Sequence, residues 1–143
     1  MATVKLLAIV ERGKGKRNFS CFATESIGNW ALMGYGASAR EAMEDIKEVA
    51  KDYKEEAEAN GDTFPDVEFE FRLDVGSFFD YYPLDVTATA KYIGVNPSAL
   101  RQYVTSIRDP QQKQIDKIND GLKRLAKDIG AGMMITQPAV SYV

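Results

Sequence analysis

No histidine occurs in this 143-residue chain. That excludes Ser-His and Cys-His nucleophile systems, histidine acid–base work and histidine metal ligands. The single cysteine, Cys21, cannot form an internal disulfide, and alone it makes no zinc set. Its solitary use fits a reducing compartment. No apolar run approaches the ~18 residues that span a membrane, and the N-terminus lacks a signal peptide's apolar core and small-residue cleavage site. A cytoplasmic location with no membrane partner is expected. No excess of basic charge is present either: 18 Lys and Arg stand against 21 Asp and Glu, a net −3. Only carboxylate or lysine chemistry stays open to an enzyme. No catalytic residue, metal ligand or cofactor is assigned.

What is present is an ordinary globular composition, 45% apolar and 27% charged. The length suits one domain or two small ones. The charge is uneven along it. Residues 1–77 carry −5 and residues 78–143 carry +2. The acidic part has no electrostatic reason to approach nucleic acid, whereas the mildly basic part has one. Two segments with two jobs are expected.

Thr3–Val10 (TVKLLAIV), Phe19–Ala23 (FSCFA) and Trp30–Tyr35 (WALMGY) read as strands. Gly13-Lys14-Gly15-Lys16 reads as a solvated hairpin loop, because it lacks the glycine spacing and the Ser or Thr of a phosphate-binding loop. Ser38 and Glu41, three residues apart, form a capping box. The helix they open runs to about Ala59, before the stop signal of Gly61. Its apolar stripe is Ala42, Ile46, Val49, Ala50, Tyr53 and Ala57. Its other face is mostly acidic, with Lys51–Glu55 and Lys54–Glu58 spaced to pair. The plain reading of that face is solvation; the sharper one is a docking surface for a basic partner. Val67–Leu73 then alternates apolar and charged, as a strand with one wet face does. The first module is thus expected to be an antiparallel βββαβ unit ending near Asp74.

Gly76-Ser77 marks a boundary, and Phe78–Tyr82 is a short packing helix after it. Val86–Thr105 (VTATAKYIGVNPSALRQYVT) has helix-turn-helix form. Ala90 leaves room for a second helix to cross. Gly94 can take φ > 0 and end the first helix. Asn96 caps the second helix, Pro97 suits its first position, and Leu100 anchors it. Asp109-Pro110 opens a last helix, closed by Gly130 and Gly132. Its Ile115, Ile118, Leu122, Leu125 and Ile129 form a stripe that is either a core face or a dimer seam. The expected fold class is α+β: an N-terminal antiparallel βββαβ module (1–75), a small all-α helix-turn-helix domain (76–130) and a tail (131–143).

In such a motif the second helix enters the major groove of DNA. Leu100, Tyr103 and Val104 should face inward, and Asn96, Ser98, Arg101, Gln102 and Thr105 outward. Arg101 can fork onto a guanine edge and Gln102 can pair with adenine. Ser98 and Thr105 suit phosphates, while Arg108 and Lys113 flank the helix and can neutralise them. One helix reads few bases, so a homodimer or higher homo-oligomer on a palindromic operator is expected. One competing reading is a structural helical hairpin with no role at DNA. Another is a metal-dependent nuclease with clustered carboxylates; Glu68 and Glu70, however, share the wet face of a strand, where charges are ordinary.

These motifs together resemble the HicB family of toxin–antitoxin antitoxins. The first half resembles it through Gly36-Ala37-Ser38-Ala39-Arg40-Glu41-Ala42, with Ile46, Ala50, Tyr53, Gly61 and Pro65. The second half does so through Ala90, Ile93-Gly94-Val95-Asn96-Pro97-Ser98, Leu100-Arg101-Gln102-Tyr103 and the helix from Pro110. The resemblance covers nearly all of the chain before the apolar tail. It implies a degraded ribonuclease-H-like first module that neutralises a HicA-like mRNA-cleaving toxin. It also implies repression of the protein's own operon through the helix-turn-helix. The chain departs from the family pattern at Ala23–Asn29, where a Pro-Asp-x-Pro-Gly-type segment is usual, and at Thr89, where a larger apolar residue is common. The alternative expectation is an orphan transcriptional regulator whose first module senses a protein or a ligand.

Overall fold

The computed structural model describes residues 3–13, 18–132 and 134. Residues 14–17, where a hairpin loop is expected, and all of the tail beyond Gly132 except Met134 lie outside the described residues. The elements run β1 (Thr3–Arg12), β2 (Phe19–Ala23), β3 (Met33–Gly36), α1 (Ala39–Ala59), β4 (Asp66–Leu73), α2 (Val75–Tyr81), α3 (Val86–Ile93), α4 (Pro97–Val104) and α5 (Gln112–Ala131). This is a mixed α and β fold with one four-stranded sheet. No helix among the described residues is long and apolar enough to cross a membrane.

The sheet order is β3-β2-β1-β4. β1–β2 and β2–β3 are antiparallel as expected, but β4 lies parallel to β1, from Thr3 opposite Asp66 to Val10 opposite Leu73. The expectation of a wholly antiparallel module is therefore corrected. The reason is α1. Its 21 residues span about 31 Å and return the chain to the end of the sheet from which β3 set out. The next strand must then run in the direction of β3, which is also that of β1. Alternation in β4 reflects a sheet that α1 covers on one face only, and it carries no information on direction.

α1 covers one face of the sheet. Leu6, Ala8, Val10, Phe19 and Cys21 from the strands meet Ala39, Ala42, Ile46, Ala50 and Ala57 from the helix. Small residues dominate the helix face because β3 lies almost against its backbone. A Cβ built on Gly34 would stand 2.5 Å from the Ile46 nitrogen. The capping of α1 is displaced by one residue from the expected box. Ser38 accepts from the Glu41 N–H at 3.1 Å, but the Glu41 carboxylate takes the N–H of Ala37 at 2.8 Å. Asp45 likewise accepts from Tyr35 N–H at 2.8 Å. These two acids occupy backbone donors at the exposed edge formed by β3, which discourages pairing with another strand. The lysines also pair differently from the expected i,i+4 pattern. Lys54 reaches Asp66 at the start of β4, and Lys51 lies 4.0 Å from Glu48.

The third strand is shorter than its sequence pattern. Trp30 pairs only with Ile27 in an isolated bridge. Its ring is held instead by Tyr53 and Phe64, with centroids 4.5 and 5.9 Å away.

Cys21 is fully buried and free. Burial pushes its thiol up to about 12, from an ordinary 9.0. The unfolded thiol therefore ionises first as pH rises. Folded stability is intact below about 9 and falls as pH climbs from there toward about 12. At pH 8 a thiol reagent should label Cys21 only as fast as the sheet opens. Labelling at the rate of a free thiol would contradict this burial.

At the junction, β4 passes into α2 across Asp74 alone. Asp74 caps α2 by accepting from Ser77 N–H at 2.8 Å and also accepts from Arg12 N–H at 3.1 Å. Gly76 and Ser77, expected as a boundary, are buried inside α2. Gly76 is a close-approach glycine: its Cβ would meet the Val104 carbonyl oxygen at 2.7 Å. Arg12 adds a second tie, donating from Nη1 to that same carbonyl at 3.1 Å. The sheet and the end of α4 are thus directly joined.

A second apolar cluster holds the helices. Val75, Ala90, Ile93, Leu100, Tyr103 and Ile118 are its buried members. The last helix does not open at Asp109-Pro110. Its N-cap is Gln111, whose N–H is taken by the Gln114 side chain at 3.1 Å. The stripe on α5 divides. Ile115, Ile118 and Leu122 enter the core, whereas Leu125 is half-buried and Ile129 is 61% exposed. Gly130 lies within α5, and Gly132 is its C-cap.

Candidate nucleic-acid interface

The geometry of the motif follows from its local chemistry. Asp85 caps α3 by accepting from Ala88 N–H at 2.7 Å. Gly94 ends it at φ 78°, in the left-handed region. An L residue other than Asn or Asp costs roughly 1–2 kcal/mol there. The Val95 N–H returns to the Ala90 carbonyl at 2.9 Å. Two residues later Asn96 caps α4 by accepting from Ala99 N–H at 3.0 Å, and Pro97 takes the first helical position. Ala90 and Leu100 are both fully buried, so the two short helices cross with their small and large residues facing a common core.

One contact in this core carried no sequence signal. A Cβ on Gly121 of α5 would stand 2.4 Å from the Ile93 Cβ. α3 therefore seats directly on α5 at that glycine. Arg124 and Asp128, one and two turns on, fasten the same contact. Arg124 donates to the Tyr92 carbonyl at 3.1 Å, and Asp128 accepts from the Tyr92 hydroxyl.

The outward residues sort into three groups. Ser98, Arg101 and Thr105 are exposed along α4, and Gln102 is half-buried. Arg101 is not a loose side chain. Its Nη1 donates to the Thr87 hydroxyl on α3 at 2.9 Å, a neutral partner that fixes the guanidinium without cancelling its charge. Thr87 is a positioning residue that sequence patterning did not single out.

Asn96 and Thr105 each make a hydrogen bond to the α4 backbone. The Asn96 oxygen is committed to the cap. The Thr105 hydroxyl is within donating distance of the Arg101 and Gln102 carbonyls, at 3.0 and 3.3 Å. Its proton is held by the helix end, and its oxygen can still accept. Val104, expected inward, is only half-buried.

Arg108 and Lys113 lie apart from Arg101. They share a groove with Asn96, Ala99, Tyr103, Gln114 and Lys117. The chain reaches Arg108 through a reversal in which Ser106 takes φ 60°, and the N–H groups of Ile107 and Arg108 both point to the Gln102 carbonyl. The seven expected contact residues therefore form a ridge, Ser98–Arg101–Gln102–Thr105, and a separate basic groove lined by Arg108 and Lys113, with Asn96 at its edge.

Among the described residues no group of three or more His, Cys, Asp or Glu side chains is placed to hold a metal ion. Glu68 and Glu70 are exposed on β4, and Glu70 pairs with Arg72 at 3.0 Å. Compared with models of known protein families, with curated proteins and with solved structures, the chain matches none.

Proposed function

We propose that this chain is a DNA-binding repressor of the antitoxin kind, whose helical half reads a palindromic operator while its sheet half engages a HicA-like toxin. The observation that carries the DNA reading is the capped α4 ridge, projecting Ser98 and Arg101 beyond a fully buried Ala90–Leu100 crossing. A rigid short helix with a fixed, charged, unneutralised guanidinium is suited to reading a base edge in the major groove. The uneven charge supports a division of labour, with the acidic half meeting a basic protein and the basic half meeting phosphate. Two-fold binding would bring two such ridges to two half-sites. The apolar groove between α2 and α5, lined by Phe78, Tyr82, Leu84, Leu122, Leu125 and Ile129, offers a seam for the second copy.

A second reading, an orphan regulator whose sheet senses another molecule, is favoured by one specific contact. The Arg12–Val104 hydrogen bond links β1 to the end of α4, so an event at the sheet has a direct route to the reading helix. Presence or absence of a co-encoded basic toxin distinguishes the two, tested by co-purification from a strain expressing the neighbouring gene.

The DNA reading is tested by Arg101→Ala. It should weaken operator binding by about 1–3 kcal/mol, roughly 5- to 150-fold, and relax preference at one base position. A gel-shift series on the upstream DNA measures this. Unchanged affinity and unchanged base preference would show that α4 does not read DNA.

A further inference from the structure

Beside α4, on the flank away from Arg101, runs a groove whose lining is basic without a single carboxylate: Asn96, Ala99 and Tyr103 on one side, Arg108, Lys113 and Lys117 on the other. Arg101 and Ala99 are two residues apart on one helix and so point roughly 200° from each other. The groove and the Arg101 fork therefore serve opposite flanks of the same ridge. Lys113 and Lys117 are four residues apart on α5, one above the other by about 6 Å along the helix axis. Arg108, Lys113 and Lys117 are exposed, and no ion pair involves any of them among the described residues. Asp116, on the same helix, accepts from Gln112 at 2.8 Å and lies outside this lining.

Unpaired cations held side by side on two elements favour a ligand with repeated negative charge at short intervals. A nucleic-acid strand, with one phosphate per step, meets that description. The N-terminus of α4 opens on the same groove through Asn96 and Ala99, and its partial positive charge adds to the field.

We propose that one sugar–phosphate strand lies in this groove, with Arg108, Lys113 and Lys117 meeting its phosphates. α5 then acts as a backbone clamp that sets the register of α4. This deepens the DNA reading and rests on it. It assigns a role to Lys117 and places the strand on the Ala99–Tyr103 flank, leaving the Arg101–Thr87 flank to face base edges. Contacts of this kind carry no sequence information. They position the ridge and make affinity depend on salt.

The test compares the full chain with the triple variant Arg108→Gln, Lys113→Gln, Lys117→Gln, on upstream DNA and on a shuffled duplex, across a salt series. Loss of three phosphate contacts should lower the slope of log affinity against log salt by about 2.7, at about 0.9 per contact. It should weaken both duplexes by the same factor. The charge-preserving triple Arg108→Lys, Lys113→Arg, Lys117→Arg should keep most of the slope, and circular dichroism should show all three proteins folded. An unchanged slope in the glutamine triple, with wild type binding DNA normally, overturns the clamp and leaves the DNA reading standing. A loss confined to the specific duplex overturns it as well, because that would make these residues base readers. If wild type binds neither duplex, the DNA reading itself fails, and the clamp with it.

Discussion

Leu100→Ala should destabilise the helical half by about 2–5 kcal/mol, the range for emptying a buried leucine site, and abolish operator binding with it. Leu100 is fully buried in a cluster with Val75, Ala90, Ile93, Tyr103 and Ile118. α3 and α4 have eight residues each, far below the ~12–15 at which an isolated helix is even marginal in water. They persist because this cluster holds them. Neighbours cannot close the cavity easily, since Gly121 already brings α5 into contact with Ile93 and the Ala90 side chain is too short to fill it. Leu100→Met, similar in volume, should cost less than about 1.5 kcal/mol and keep binding. Urea titration followed by circular dichroism measures both. A cost under about 0.5 kcal/mol for the alanine variant, typical of a surface site, would show that Leu100 is not the anchor of the crossing.

Gly34→Ala should be a strongly damaging small change in the sheet half, costing about 3 kcal/mol, the upper end for overpacking a close-packed site. One methyl group would stand 2.5 Å from the Ile46 nitrogen and 2.7 Å from the Ala42 carbonyl oxygen. Both are backbone atoms of α1, so no side chain can turn aside. α1 as a whole must lift from β3, taking Ala39, Ala42 and Ile46 away from the strands. Gly61→Ala is the informative comparison. Nothing lies within 4 Å of its Cβ position, but its φ is 77°, so its cost is conformational only, roughly 1–2 kcal/mol. Thermal melts of the two variants should therefore rank Gly34→Ala well below Gly61→Ala. The reverse order would mean that α1 does not sit on β3 as closely as this.

Much of the local structure was legible in the residues themselves. The start and length of α1, the glycine stop of α3, the Asn96-Pro97 start of α4 and the outward placement of Arg101 all follow from signals confined to a few neighbouring residues. Where such signals failed, a distant contact had redefined the residue. Gly76 carries the mark of a turn, yet it is a glycine because the Val104 carbonyl passes against it. Pro110 after Asp109 looks like a helix start, but the reversal at Ser106 delays the helix to Gln112. Trp30 fits a strand by composition, and Tyr53 and Phe64 draw it out of one. In the candidate site, Lys113 and Lys117 were spaced to share a helix face. Only the seating of α5 on α3 at Gly121 brings that face to the groove lined by Asn96 and Ala99. No pattern marks Thr87, whose role exists only through the position of Arg101.

The sequence by itself determined what is short-ranged. Absent histidine and a single cysteine narrowed the chemistry open to the chain, while caps, periodicity and the Gly94 turn specified the helices one by one. Tertiary structure alone decided the direction of β4, the contact surfaces at Gly34, Gly76 and Gly121, the tie from Arg12 to Val104 and the grouping of three cations into a groove. Capping and periodicity act across three or four residues, so they are written in neighbouring letters. Direction, close approach and charge clustering depend on atoms brought together from distant parts of the chain, and those meet only when the two apolar clusters form.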